Sequence, residues 1–201
     1  MTSPEDEDHK RKAQKHKQAF EKKLAEATKE KGLLIVNTGN GKGKTTAAFG
    51  MGLRILGHGM NLGVVQFIKG ALQTAERDVL ATHEHCEFYT IGDGYTWNTQ
   101  DRAADIATSE KAWAVAEGML TNPKFKMIIL DELNIVLKHG YLDLEKVLSA
   151  FRKRPADMHV VVTGRHASEA LIEEADLVSE INSVKHPYRE QGIKAQKGVE
   201  F

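Results

Sequence analysis

A single cysteine, Cys86, stands in a chain of 201 residues, so no disulfide can close within it and no multi-cysteine zinc site can form. His83 and His85 lie beside it, but no fourth ligand accompanies them, and the three are read as surface loop leading into the alternating strand pattern "CEFYTI". An excess of either charge is missing too. Lys plus Arg and Asp plus Glu both number 28, and no long basic stripe appears beyond the N-terminal segment, which disfavours a nucleic-acid partner. The opening "MTSPEDEDHK" lacks the apolar centre of a signal peptide, and no apolar run is long enough to span a bilayer. No membrane partner is expected, and the expected location is the cytoplasm. What the chain does have is 41% hydrophobic content, enough for one substantial core, with no internal repeat or low-complexity tract.

From Glu5 to Lys31 the sequence is dense in both charges, with Phe20, Leu24 and Ala27 spaced as on one helical face. Residues 1–31 are therefore expected to form a charged amphipathic helix, and Gly32 to end it. Beyond it the pattern alternates. Apolar strands are expected at 33–37, 63–67, 86–91, 127–131, 158–163 and 177–181. Helices are expected at 45–56, 101–120, 144–152 and 168–175, with "GHG" after the first, Pro123 and Pro155 closing the second and third, and Ser168 as a cap. Strands interleaved with helices require crossovers and parallel pairing, so residues 32–201 are read as a three-layer α/β domain with a mainly parallel sheet.

The stretch "TGNGKGKTTAAFG" follows the first strand and enters the first helix. It ends as a P-loop does, in Gly43, Lys44 and Thr45, but the first glycine of the usual spacing would fall on Thr38, and the glycines are at 39 and 41. Small residues there let successive backbone N–H groups turn inward, and the helix start adds partial positive charge. The loop Gly39, Asn40, Gly41, Lys42, Gly43, Lys44, Thr45 and Thr46 is thus the expected nucleotide cradle. Lys44 would contact the phosphate chain and the Thr45 hydroxyl a magnesium ion. Lys42 would hold phosphate or stay solvated. A ligand-free glycine turn explains poorly why two lysines stand among three glycines, since without an anion the loop repels itself. A second motif supports the cradle: "KMIILDE" is an apolar strand ending in Asp131 and Glu132, the placement that sets carboxylates beside such a loop for magnesium.

"GDGYTWNTQDR" carries Tyr95 and Trp97 in a polar loop after the third strand. They offer faces for a flat apolar partner at the open end of the sheet, or they fold inward over the core. Taken in order, "TGNGKGKTTAAFG", "GVVQFIKG", "YTWNTQDR", "LDEL", "VVTGR" and "VKHPYREQGIKAQKGVEF" closely resemble the P-loop ATP:corrinoid adenosyltransferases of the bacterial cobalamin pathway, from about Gly32 to Phe201. The compressed glycine loop is shared with that family.

The resemblance implies a RecA-like P-loop NTPase fold with an N-terminal helical extension. It implies an enzyme in which Co(I) of a corrinoid attacks the ribose C5′ of ATP and triphosphate leaves. ATP is then a co-substrate, with Mg2+ as cofactor and Mn2+ as an alternative, held by Thr45, Asp131 and Glu132. The nucleophile carries no proton, so no general base is required, while the leaving triphosphate needs stabilisation where its charge forms. Lys44 would supply that. Tyr95, where the related pattern has phenylalanine, and Trp97 match positions that face the corrin and help remove the lower axial ligand, making reduction to Co(I) attainable. Arg54 and Arg165 are candidate nucleotide contacts. The implied partners are a corrinoid, an electron donor such as a reduced flavoprotein, and a second copy of the chain in a homodimer, with the N-terminal helix as a candidate active-site lid. A P-loop phosphotransferase explains the loop and "LDE" but not the aromatic loop; a RecA-like ATPase motor would want a nucleic-acid surface and an oligomeric arginine finger, which zero net charge supports little; and a non-enzymatic nucleotide switch would show ATP-dependent partner binding without turnover.

Overall fold

In the computed structural model the described residues are 4–68, 74–91 and 101–200. The chain divides into two compact units, Met1–Lys31 and Gly32–Phe201. The first is built on one helix, α1 (Pro4–Glu26). Ion pairs one turn apart, Asp8 with Arg11 and Lys12 and Lys17 with Glu21, support it at the few-tenths of a kcal/mol level expected of exposed pairs. Phe20 and Leu24 stand exposed on it.

The second unit contains six parallel strands: β1 (Leu34–Thr38), β2 (Asn61–Gln66), β3 (Cys86–Thr90), β4 (Phe125–Asp131), β5 (His159–Thr163) and β6 (Leu177–Glu180), in the order β3-β2-β4-β5-β1-β6. Between them run α2 (Lys44–Gly57), α3 (Ala75–Ala81), α4 (Arg102–Leu120), α5 (Leu133–Lys138), α6 (Leu144–Lys153) and α7 (Glu169–Glu174), and α8 (Pro187–Gln191) follows β6. Alternation along each strand produces two cores. Ile35, Leu62, Val64, Met127, Ile129 and Val161 pack with α2 and α3 through Ala48, Phe49 and Leu80. Leu34, Val36, Val65, Ile128, Leu130, Val160 and Val162 pack on the other face with Trp113, Leu133 and Phe151. The sheet is the middle of three layers, as the interleaved pattern requires.

Each strand and helix expected in residues 32–201 is present within about two residues, whereas the N-terminal helix, expected to run to Lys31 with Gly32 ending it, ends at Glu26. The caps are local chemistry: the Asp101 carboxylate accepts from the N–H groups of Ala103 and Ala104, and the Ser168 hydroxyl from that of Leu171. The start of β1 is pinned by side chains. His159 Nδ1 accepts from Leu33 N–H, Asp176 from Leu34 N–H, and the Arg154 guanidinium donates to the carbonyls of Gly32, Phe151 and Met158.

Parallel pairing aligns the strand ends. Gln66 sits opposite both Thr90 and Asp131, Leu130 opposite Val162, and Asn37 opposite both Thr163 and Ser179. A polar row, Thr90, Gln66, Asp131, Thr163, Asn37 and Ser179, therefore crosses the carboxyl edge of an otherwise apolar sheet. That edge is where open α/β sheets place their sites.

Candidate active site

The loop between β1 and α2 is shaped for close backbone approach. Gly39 has φ 95°, and a Cβ there would come within 2.5 Å of the Ile181 carbonyl oxygen. Gly43 has φ 111° and caps α2 with no side-chain partner for the first helical N–H groups. No acidic residue occupies the first turn, so the start of α2 keeps its partial positive charge. Gly41 N–H donates to the Ile181 carbonyl, which ties the loop to the end of β6. Thr38, where the usual spacing would put a glycine, is the last residue of β1, and its hydroxyl accepts from the Ala167 N–H. The compressed spacing thus reflects a strand that runs one residue further before the loop begins.

Lys44 is buried and folds back so that Nζ donates to the Gly41 carbonyl at 2.6 Å. Burial lowers its pKa; Glu132 and Asp131 oppose that shift, and Arg165 and Lys42 add to it. Thr45 Oγ1 donates to Asp131 Oδ1 at 2.7 Å, which leaves the hydroxyl lone pairs open. Asn40 and Thr46 are exposed on either side. Lys42 is exposed and pairs with Glu200.

Asp131 is 2% exposed, and both its oxygens accept hydrogen bonds. Oδ1 takes Thr45 and Thr163, each at 2.7 Å, and Oδ2 takes Gln66 Nε2 at 3.0 Å. Thr90 in turn donates to Gln66 Oε1. Glu132, half-buried, has a left-handed backbone at φ 61°, and its carboxyl is pushed up to about 7 by burial first and by Asp131 second, against the pull of Lys44 and Arg165. Two adjacent carboxylates and a threonine hydroxyl are hard oxygen donors of the kind Mg2+ or Mn2+ takes. The residues present fit such an ion.

Arg165 follows β5 closely enough to act electrostatically on Lys44 and Glu132. Arg54 lies in the last turn of α2, roughly 15 Å along the axis from Lys44 at 1.5 Å per residue. Tyr95 and Trp97 lie outside the described residues. Gln66 and Thr163 lie within motifs of the sequence that assign them no role. The available signal was that each, like Asp131, is a polar residue closing an apolar run.

A model of the ATP:corrinoid adenosyltransferase family BtuR/CobO/CobP matches residues 30–201. The chain belongs to this family. Among curated corrinoid adenosyltransferases, it is 52% identical to that of Pseudomonas aeruginosa over 99% of this chain and 98% of the relative. It is also 52% identical to that of Sinorhizobium sp, over 98% of this chain and 93% of the relative. With corrinoid adenosyltransferase CobA of Salmonella typhimurium it shares 44% over 98% of this chain and 99% of the relative. As a corrinoid adenosyltransferase, the chain is an enzyme whose family relation runs through all six strands and the phosphate loop. No helix among the described residues is long and apolar enough to cross a membrane.

Proposed function

We propose that the protein transfers the 5′-deoxyadenosyl group of ATP to the Co(I) centre of a corrinoid and releases triphosphate. In this reaction the cobalt electron pair forms the Co–C5′ bond, the C5′–O bond breaks, and its electrons leave with the triphosphate. The observation that carries the proposal is the joined loop and carboxylate pair, Gly39–Thr46 with Asp131 and Glu132, in a chain of this family. The machinery holds a polyphosphate and stabilises negative charge that grows on it.

The roles follow from position. Backbone N–H groups of the loop and the start of α2 orient the phosphates, and Lys44 places a desolvated ammonium against them. Thr45, Asp131 and Glu132 would hold Mg2+, or Mn2+ in its place, and that ion neutralises charge on the departing triphosphate when bound. Tyr95 and Trp97 are assigned to the corrin face, by family position. A reduced flavoprotein is a fitting electron donor, the cytoplasm the fitting location, and a homodimer the fitting assembly. Residues 1–31 are assigned as an active-site lid by family resemblance; the chain's own support is that they carry a charged helix.

One observation favours a second reading. Glu132, with a carboxyl pushed up to about 7, is equipped to take a proton from water, as hydrolysis of ATP would need. Product analysis separates the two. The protein is incubated anaerobically with ATP, Mg2+ and chemically reduced cobalamin, and both products are identified by mass. Adenosylcobalamin with intact triphosphate is expected. ADP and phosphate without a cobalt–carbon product would overturn the proposal in favour of hydrolysis.

A further inference from the structure

We infer that Thr163 is a positioning residue that sets the Asp131–Glu132 pair for the cation; the inference rests on the metal assignment proposed above. Thr163 ends β5, is fully buried at 0% exposure, and spends its hydroxyl on both carboxylate residues. Oγ1 donates to Asp131 Oδ1 at 2.7 Å and accepts from the Glu132 N–H at 3.0 Å. One oxygen atom thus fixes the side chain of the first acid and the backbone of the second.

The second contact matters because Glu132 is not a residue that takes its backbone conformation freely. A non-glycine residue at φ 61° costs on the order of 1 kcal/mol or more and persists only where its surroundings impose it. The structure shows what imposes it. The residue after Thr163, Gly164, lies so close to this turn that a Cβ there would fall 2.9 Å from the Asn134 Cβ and 3.1 Å from Glu132 Oε2. Asn134 Nδ2 donates to the Gly164 carbonyl at 3.0 Å. Thr163 and Gly164 therefore clamp the turn from Asp131 to Asn134, with the Glu132 carboxyl held within electrostatic reach of Lys44 and Arg165.

Three side chains grip Asp131, but they are not equivalent. Thr45 lies in the first turn of α2 and offers its lone pairs to a cation, and Gln66 touches only the far oxygen. Of these three, it is Thr163 that joins Asp131 to Glu132. Removing its hydroxyl should leave the phosphate loop intact and loosen the carboxylate pair, which separates it from a loss of nucleotide binding. Losses of partners behind metal ligands elsewhere run to about 10- to 100-fold in metal affinity.

The test compares Thr163→Val, which keeps the branched shape without the hydroxyl, with Thr163→Ser, which keeps the hydroxyl without the methyl. Mn2+ binding to the ATP-loaded protein is followed by the loss of the free-ion EPR signal, ATP binding without metal by calorimetry, and folding by thermal melting. The expected result is that Thr163→Val weakens Mn2+ at least about 10-fold and leaves metal-free ATP affinity within about 2-fold, while Thr163→Ser stays within about 3-fold of wild type. If the valine variant does not fold, Thr163→Ala against Thr163→Ser reads the same hydroxyl with the methyl absent from both. Valine or alanine variants that bind Mn2+ like the serine variant would overturn the inference and leave the metal assignment standing. A wild-type protein that takes ATP but no Mn2+ would remove the metal assignment and the inference together.

Discussion

Replacing Lys44 with methionine separates the electrostatic role of this residue from its role in packing. The aliphatic stem keeps its buried contacts, while the ammonium and its bond to the Gly41 carbonyl are lost. In the nucleotide-free protein that ammonium is held at a cost, since burial lowers its pKa below 10.5. The unfolded chain binds the proton more tightly, so the cost is fully present below the folded value and is relieved as pH rises through the folded and then the unfolded value. Lys44→Met should therefore melt within a few degrees of wild type. Catalysis should respond very differently. A unit charge about 4 Å from a phosphate oxygen is worth about 4 kcal/mol at an effective dielectric of 20, and loss of one preorganised donor to a developing anion costs about 100- to 1,000-fold. The assay is kcat/KM for adenosylcobalamin formation from chemically reduced cobalamin, with triphosphate measured in parallel. A methionine variant within about 5-fold of wild type would refute the assignment of Lys44 to the leaving group, and a variant that is inactive because it melts far lower would refute the claim that its charge is dispensable for folding.

Glu132→Gln tests the raised carboxyl. With a folded value of about 7 above the ordinary 4.5, wild-type stability should fall as pH rises from 4.5 to 7, by at most about 3 kcal/mol, and the glutamine variant should show a flatter profile in denaturant titrations. Identical slopes would show that the group does not titrate in that window. Trp97→Ala should impair turnover mainly when cobalt starts as Co(II); an equal defect with pre-reduced Co(I) would remove it from the reduction step. On the proposed lid role, deleting residues 1–31 should raise the KM for corrinoid by about 10-fold or more while ATP affinity moves little. Equal corrinoid KM in the truncated protein would count against the lid.

The strands and long helices were legible because burial on both faces writes near-continuous apolar runs such as "LLIV" and "MIIL", and the crossover helices carry caps at Asp101 and Ser168. Helices α3, α5 and α8, of seven, six and five residues, were not expected; each is too short to display a helical period. The loop and the "LDE" carboxylates were legible as motifs, and Thr45 and Asp131 do lie within hydrogen-bond distance. Gln66 and Thr163 escaped because a polar residue at the end of a strand reads as simple termination. Only lateral register, Gln66 opposite Asp131 and Val162 opposite Leu130, brings them to the carboxylate, and register is a relation between distant segments that no single window contains.

That same register explains why a phosphate loop can serve attack at carbon. The row at the carboxyl edge commits Asp131 to three hydrogen bonds, which makes it an organiser of neighbouring donors rather than a free base. A loop and a carboxylate pair fix where the polyphosphate lies and stabilise charge wherever it accumulates along that chain; they do not by themselves choose which bond to it breaks. The choice falls to the nucleophile and its line of approach. Water activated by Glu132 would attack phosphorus, whereas a metal-centred electron pair that needs no proton removed can attack the ribose carbon, with the same cradle receiving the triphosphate. On this reasoning Glu132→Gln should lower any ATP hydrolysis more than it lowers adenosyl transfer when the ion is saturating. The ratio of triphosphate to phosphate formed by that variant would measure the difference directly, and a ratio unchanged from wild type would show that Glu132 serves both paths only as a ligand.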